Sequence, residues 1–467
     1  MPTLSPASTE RLPLAILGVP FDNVTSAETL ALITGMIASG QPHYAALVNV
    51  DFLMQAQRDV ELRRILFDAH LVLAAGKPIL SAAKFLGNQL PQCITAAELL
   101  PQLLALAEQK NWRVFFLGGT DSSIATVAEK VRAKFPGLQI VGTHAPILQP
   151  LLEMDHPAIK RKIREVKPDL LFVAFGCPKQ EKWINMNFRS LNVPFTIGVG
   201  AALEHFAGAK ETVQNPKATS IKNFFSFKLA VFQQGRQLRG RKKNSSSPNE
   251  ANVIPDPYGN LVIRAPARLG AAEVEICRAE WLRAVESSHV MFDLSDTTFA
   301  DSTGIGVLIR LRKRARELNQ QFFLVALRPP IEAALRQMKL DEFFSVQNSL
   351  AGARIIMESI SSSPTVSSGV KEKNLQIRWT GEVTALNAVE LGVQTESELS
   401  QATPGMSVVV DLSRVTFVDS TGIGLMLRFK KNLKHQDVAL QFANPVTSVR
   451  NVLRQTKLEE YLLGAEK

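Results

Sequence analysis

Short apolar runs alternate with amphipathic segments through the front half of the chain. "AALVNV" (45–50), "LVLAA" (71–75), "RVFFLGG" (113–119), "DLLFVAFG" (169–176) and "PFTIGVG" (194–200) are nearly unbroken apolar stretches that end in glycine or polar residues. Runs of that length predict strands buried on both faces. Between them, stretches such as Ser122–Phe135 repeat apolar positions every three or four residues, the period of a helix packed on a sheet. Strands that alternate with helices predict an α/β domain with a largely parallel sheet.

The rear half says the same thing twice. "DLSDTTFADSTGIGVLIRLRK" starts at Asp293 and "DLSRVTFVDSTGIGLMLRFKK" at Asp411, with 13 of 21 positions identical. Leu335-Arg336-Gln337 and Lys339-Leu340 recur as Leu453-Arg454-Gln455 and Lys457-Leu458, at the same offset of 118 residues. That period is too long for a solenoid unit and suits tandem copies of one domain. In each copy a strand (Val290–Leu294; Val408–Leu412) leads through a turn into an amphipathic segment. The basic, Ser/Pro-rich "GRKKNSSSPNE" (240–250) and the apolar-poor "SISSSPTVSSGVKEK" (359–373) read as flexible connections. The expected layout is a front domain over 11–243, a linker over 244–251, a first repeat over 252–358, a linker over 359–373 and a second repeat over 374–465.

Composition narrows the picture further. Hydrophobic residues make up 46% of the 467, enough for packed cores. The formal charge of +10 suits an acidic partner such as a membrane surface or a nucleotide. The three cysteines lie far apart and suggest a reducing cytoplasm rather than a disulfide framework. Glu10 and Arg11 before a short apolar stretch are not a signal-peptide layout, and no apolar run reaches spanning length. The histidines show no metal-ligand spacing.

The candidate chemistry sits at strand ends. Gly118 and Gly119 close one strand before a helix, where backbone N–H groups can receive a phosphate. Gly176, Lys179 and Gln180 follow another, with Lys182 and Trp183 beyond, and Gly198 and Gly200 close a third. Such ends are where open α/β sheets bind ligands. Cys177, without a histidine at informative spacing, reads as a small residue at the core's edge. In the repeats, Asp301 or Ser302 can cap the helix that follows, and Gly304 and Gly306 allow close approach. A phosphate on Ser302 or Thr303 would add roughly −1.5 to −2 charge to an exposed surface.

At "DLS…TF.DSTGIG" and "LRQ.KL" each repeat resembles the STAS domain of anti-sigma-factor antagonists. The resemblance implies a small mixed sheet backed by helices and a hydroxyl phosphorylated by a partner kinase. By motif the hydroxyls are Ser302 and Thr303 in the first copy and Ser420 and Thr421 in the second. Thr303 and Thr421 stand at the acceptor position. The front half resembles the WecG/TagA/CpsF glycosyltransferases, from "LGVPFDNVTSAE" (17–28) through "LVNVDFLMQAQRDVELRRILFDAHLVL" (47–73) and "FGCPKQEKW" (175–183) to "FAG" (206–208). This resemblance implies a Rossmann-like α/β glycosyltransferase domain that moves an N-acetylhexosamine from a UDP-sugar to a polyprenyl-diphosphate-linked sugar. Inversion at the anomeric centre and no catalytic metal or other cofactor are expected. The implied substrate site comprises Asn49, Gly76, Gly118, Gly119, Gly176, Lys179, Gln180 and Gly200.

The departures from the family pattern are as informative. The catalytic aspartate of the family falls on Ala75, the usual threonine on Leu47 and a usual aspartate on Glu204. Alanine accepts no proton, and losing a positioned base costs roughly 10²–10⁴ in rate. Asp51 and Asp22 are the candidate substitutes. The alternative is a catalytically silent nucleotide-sugar sensor or scaffold, with the STAS pair as regulator. Lys77 reads as a solvated lysine. Finally, residues 217–243 hold eight Lys/Arg and no Asp or Glu, with Phe224, Phe225, Phe227 and Phe232 interleaved. That pattern suits an anionic bilayer or a helix packed on the domain. No recognised nucleic-acid module accompanies the charge. The expected setting is the cytoplasm, at the inner face of the membrane, with an anti-sigma or kinase-like protein partner for the STAS pair.

Overall fold

The computed structural model describes residues 12–206, 208, 221–238, 252–256, 259–341, 343–360, 366–371, 374–385 and 387–464. The chain divides into two bodies. One comprises Met1–Ile147, Asp155–Ile184 and Phe188–Glu358; the other comprises Leu148–Met154, Asn185–Asn187 and Ser359–Lys467.

The front half opens with a hairpin of β1 (Leu14–Ile16) and β2 (Val19–Phe21) and helix α1 (Ser26–Ala38). It continues through β3 (His43–Val48), α2 (Val50–Ala56), α3 (Val60–Asp68), β4 (Leu71–Ala74), α4 (Lys77–Phe85) and α5 (Ala96–Gln109). Next come β5 (Arg113–Gly118), α6 (Asp121–Lys134), β6 (Gln139–His144), α7 (His156–Val166), β7 (Leu170–Ala174) and α8 (Lys179–Leu191). It ends with β8 (Phe195–Gly198), α9 (Ala202–Phe206) and α10 (Ile221–Leu238). Six strands form one sheet in the order β4-β3-β8-β7-β5-β6, all neighbours parallel. The apolar runs are the strands, as their pattern predicts: Leu71–Leu73, Val114–Leu117 and Leu170–Val173 are all buried. Because every strand points the same way, every strand's C-terminal end lies on one edge of the sheet.

The first repeat comprises β9 (Asn252–Pro255), β10 (Leu261–Arg264), β11 (Arg268–Leu269), α11 (Ala271–Ser287), β12 (Val290–Asp293), β13 (Phe299–Ala300) and α12 (Ser302–Glu317). It closes with β14 (Phe322–Val325), α13 (Pro329–Gln337), β15 (Ser345–Gln347) and α14 (Leu350–Ile360). Its sheet runs β15-β14-β12-β10-β9, with only β9 antiparallel, so it is mixed as expected. This domain is not a separate bead. Ala15 and Phe67 of the front half share one core with Trp281, Ile309 and Leu340 of the repeat.

The second repeat comprises β16 (Val366–Lys371), β17 (Asn374–Val383), α15 (Ala388–Leu399), β18 (Ser407–Val418), α16 (Ser420–Lys434), β19 (Ala439–Ala443), α17 (Thr447–Gln455) and α18 (Glu459–Leu463). Its sheet runs β16-β17-β18-β19. Here the expected linker over 359–373 is corrected, because β16 pairs antiparallel with β17 from Val366↔Trp379 to Lys371↔Asn374. An edge strand draws its hold from backbone hydrogen bonds, so a segment poor in apolar side chains can still form one. The linker over 244–251 lies outside the described residues.

Candidate functional site

The expected substrate residues converge on the C-terminal edge of the front sheet. Asn49 follows β3, Gly76 follows β4, Gly118 ends β5, Gly176 follows β7, and Gly200 lies just past β8. Helices α2, α4, α6 and α8 begin on the same edge. Two are capped by side chains: Asn49 Oδ1 accepts from the Phe52 N–H at 2.9 Å and Thr120 Oγ1 from the Ser123 N–H at 3.2 Å. The other two, α4 after Gly76 and α8 after Pro178, have no side-chain cap. Uncapped first-turn N–H groups with the positive end of a helix dipole favour anions.

The glycines are there for space. A Cβ on Gly118 (φ 121°) would stand 2.4 Å from the Ala174 carbonyl oxygen, so β5 and β7 could not end side by side. One on Gly198 would stand 2.6 Å from Gln180 Nε2. Gly176 has φ 76° and nothing within 4 Å of a Cβ, so its demand is conformational.

Gln180 differs from its expected role. Its side chain is buried, Oε1 accepts from the Gly176 N–H at 3.2 Å and Nε2 donates to Glu181 Oε1 at 2.8 Å. It therefore braces the β7–α8 turn. Lys179 is half-buried, with its ammonium 5.5 Å from the Phe175 ring centre; desolvation pulls its pKa below the usual lysine value. Lys182 is tied back to α3, at 2.7 Å from Asp59 and 2.9 Å from Glu61. Burial alone would lower its pKa, but those two carboxylates outweigh it and raise the group above its ordinary value. Glu181 was not singled out by sequence reasoning. It is buried, and desolvation pushes its carboxyl up to about 7 despite the Gln180 amide that favours its charged form. Its only sequence signal is a carboxylate between two polar positions on the first turn of α8. Cys177 reaches the surface, yet desolvation of its sulfur and then the Glu181 charge hold the thiol well above the usual range. It remains protonated and is no nucleophile at neutral pH.

The base position is empty of any acid, as the sequence implies. Ala75 donates its N–H to the Val48 carbonyl at 2.9 Å, which sets it beside Asn49 on the adjacent strand. The two candidate substitutes part company. Asp22 donates its N–H to the Val72 carbonyl at 2.9 Å, and its carboxylate accepts from the Val72 N–H at 2.7 Å. It is committed to the middle of β4. Asp51 lies on the first turn of α2, right after Asn49, and accepts from Asn223 Nδ2 of α10 at 2.8 Å. Glu204 Oε1 comes within 3.4 Å of a Cβ built on Gly119.

Helix α10 carries two apolar faces. Phe227, Val231 and Gln234 face inward, with Gln234 accepting from the Leu17 N–H and donating to the Ala15 carbonyl, both at 2.9 Å. Phe225 (66% exposed), Leu229 (58%) and Phe232 (50%) line the outside at helical spacing, flanked by exposed Lys222, Lys228 and Arg236. Lys217 and the basic residues from Arg239 to Lys243 lie outside the described residues. Among the described residues no helix is long and apolar enough to cross a membrane.

Comparisons with known proteins follow these lines. Residues 14–217 match the model of the glycosyl transferase WecG/TagA/CpsF family, 251–353 that of the STAS domain, and 368–464 that of the Mlab-type STAS domain. The chain is a WecG/TagA/CpsF-family segment followed by two STAS domains. The N-acetylglucosaminyldiphosphoundecaprenol N-acetyl-beta-D-mannosaminyltransferase of Staphylococcus aureus strain NCTC 8325 is 28% identical over 198 residues, 42% of this chain and 76% of that protein. The same enzyme of strain MRSA252 matches at the same identity and coverage. Among solved structures, an anti-sigma-factor antagonist (STAS) domain protein from Planctomyces limnophilus is 27% identical, covering 24% of this chain and 99% of its own, with a TM-score of 0.22. Unphosphorylated SpoIIAA is 21% identical, covering 22% of this chain and 90% of its own, with a TM-score of 0.19.

In both STAS domains the helix after the "DST" motif begins as its residues dictate. Asp301 Oδ1 accepts from the Thr303 and Gly304 N–H groups at 2.8 and 2.9 Å, and Asp419 Oδ1 does the same for Thr421 and Gly422. The expected exposure of the hydroxyls is corrected. Ser302, Thr303 and Ser420 are buried, and the Thr421 hydroxyl oxygen, on a half-buried residue, is covered. The helix start is tucked against strand ends: a Cβ on Gly304 would meet the Leu269 carbonyl at 2.0 Å and one on Gly422 the Val383 carbonyl at 2.5 Å.

Proposed function

We propose that the WecG/TagA/CpsF segment transfers an N-acetylhexosamine from a UDP-sugar to a polyprenyl-diphosphate-linked acceptor in envelope or exopolysaccharide assembly, under control of the STAS pair. The observation that carries this reading is the gathering of five strand ends, four of them marked by glycine, beside the uncapped starts of α4 and α8. A diphosphate placed there would meet backbone N–H donors and two helix dipoles. The names of the staphylococcal relatives support the substrate class. The outer face of α10 supports seating at an anionic bilayer, where a lipid-linked acceptor would lie. Asp51 is the acid best placed to act as base in place of Ala75, because it stands in the turn that Asn49 caps and beside α10. A kinase-like or anti-sigma-type protein is the partner class for the STAS domains, and phosphorylation there would require the helix start to open.

The second reading is a silent nucleotide-sugar sensor, and Ala75 favours it. UDP release by the full chain, given UDP-N-acetylhexosamines and a polyprenyl-diphosphate-N-acetylglucosamine analogue, separates the two. Turnover that falls roughly 10²–10⁴-fold in Asp51→Asn supports an enzyme with a relocated base. UDP binding without turnover, with activity gained by Ala75→Asp, supports the sensor. No binding of UDP rejects both.

A further inference from the structure

The two STAS domains carry the same face, and only one of them is covered. In the first, the outer side of α12 and the loop after α13 hold the front half. Phe343 packs against Phe67 with ring centres 4.1 Å apart and planes tilted by 50°, and the Arg312 guanidinium lies 4.0 Å over Phe343. Three cations finish the grip. Arg316 Nη1 reaches both Asp68 oxygens at 2.8 Å, Lys313 donates to the Ala69 carbonyl, and Lys339 Nζ donates to the Gln57 carbonyl at 2.7 Å. A Cβ on Gly306 would stand 2.5 Å from the Pro13 carbonyl, so the helix lies directly on the chain leading into β1.

At the offset of 118 residues the second domain repeats each part. Lys431, Lys434 and Lys457 replace Lys313, Arg316 and Lys339, and Tyr461 replaces Phe343, with the Lys430 ammonium 5.0 Å over its ring. The cover is missing. Tyr461 is 50% exposed where Phe343 is 4%, and nothing lies within 4 Å of a Cβ built on Gly424, the counterpart of Gly306. Leu427 is half-buried where Ile309 is fully buried. The three lysines are exposed, and among the described residues none of their ammonium groups has a partner.

We infer that the STAS pair has divided its work: the first domain is a fixed subunit of the transferase-family half, and the second offers the same face to a separate protein. The chemistry of that partner follows from the occupied copy. It presents an aromatic or large apolar side chain for Tyr461 and Leu427, a carboxylate beside it for Lys434 and a free carbonyl for Lys431, as Phe67-Asp68-Ala69 does, and a further carbonyl for Lys457, as Gln57 does for Lys339. Three unpaired cations around an exposed ring favour an acidic, aromatic-bearing surface. This rests on reading the STAS domains as interaction modules and is independent of whether the front half is active.

A synthetic peptide of residues 59–70, which ends in Phe67-Asp68-Ala69-His70, is the probe. Its counterpart site on the first domain is already filled, so the full chain should bind one peptide, measured by fluorescence anisotropy. Hydrogen exchange should slow in 420–434 and 456–463. Lys434→Glu should weaken binding at least tenfold, and so should Asp68→Lys in the peptide. Saturable binding that protects another face of the second domain overturns this surface and leaves the interaction-module reading standing. Absence of saturable binding overturns the surface too. If Lys434→Glu spares the peptide but releases the chain from phosphatidylglycerol vesicles, the lysines serve a membrane and the proposal is overturned.

Discussion

Glu181 shows how much a single buried carboxyl can set. Desolvation raises its pKa to about 7, well above the unfolded value, so the folded protein prefers it neutral. The sign follows directly: its contribution to stability is intact below the unfolded pKa of about 4.3 and is lost as pH rises through about 7. The wild type should therefore lose up to about 3 kcal/mol more stability between pH 5 and pH 8 than Glu181→Gln. Urea unfolding at the two pH values measures it, and equal losses would show that the carboxyl is not held neutral. At this scale the sequence was legible wherever a residue type has one main use. Asp301 caps a helix, glycines end strands, and Ala75 announces a missing acid. Gln180 and Glu181 were not legible, because their roles depend on which way the first turn of α8 faces. Asp22 and Asp51 look alike in the sequence and separate only when one is seen bonded to the middle of β4 and the other to α10.

At the scale of elements the apolar runs announced five of the six strands of the front sheet, since a strand buried on both faces needs no alternation, and missed only the half-exposed edge strand β6. The strand ends are tighter than the sequence reveals, and two glycines should separate sharply on replacement. Gly118→Ala forces a Cβ onto the Ala174 carbonyl at 2.4 Å and strains a positive φ, so it should cost roughly 3 kcal/mol or more and weaken UDP binding. Gly176→Ala meets open space and should cost only about 1 kcal/mol from its φ of 76°. Thermal unfolding of the two variants checks the order. Helix α10 was half legible. Its composition read equally as a membrane segment or a packed helix. The structure gives both answers, with one apolar face on Leu17 and Phe85 and another outward. Phe225→Asp with Phe232→Asp should therefore lower affinity for phosphatidylglycerol vesicles at least tenfold, given roughly 1.5–3 kcal/mol per buried aromatic. The fold should survive, because the buried Phe227, Val231 and Gln234 are untouched, although the Phe232 contact with the Phe85 ring is lost. Unchanged sedimentation with vesicles would remove the membrane role from this helix.

For the whole molecule, the repeat was legible as two domains, but their different fates were not. The signal that the first STAS domain is built into the front half is spread over Pro13, Phe67, Asp68 and Arg316, positions up to three hundred residues apart, and no local pattern links them. The fusion makes a definite prediction about cooperativity. Ala15 and Phe67 lie in the same core as Ile309 and Leu340, so exposing that surface by ending the chain at residue 243 should leave an aggregating fragment. Ending it at residue 358 leaves the seat intact. Charge exchange tests the contact without truncation. Arg316→Asp in the full chain leaves Asp68 facing a like charge at a partly buried site, and Asp68→Arg leaves two arginines, so each alone should cost roughly 2–4 kcal/mol. The double exchange restores an opposite pair and should recover most of that loss, since the two side chains touch and their effects cannot add. Hydrogen exchange locates the effect: β1, β2, α3 and α12 should loosen together in each single variant and tighten together in the double. If the first STAS domain loosened while β1, β2 and α3 held, the two would be neighbours rather than one cooperative body. The control we propose for the STAS pair would then have to reach the site by some route other than the carboxylates of Asp59 and Glu61 that hold Lys182 at the head of α8.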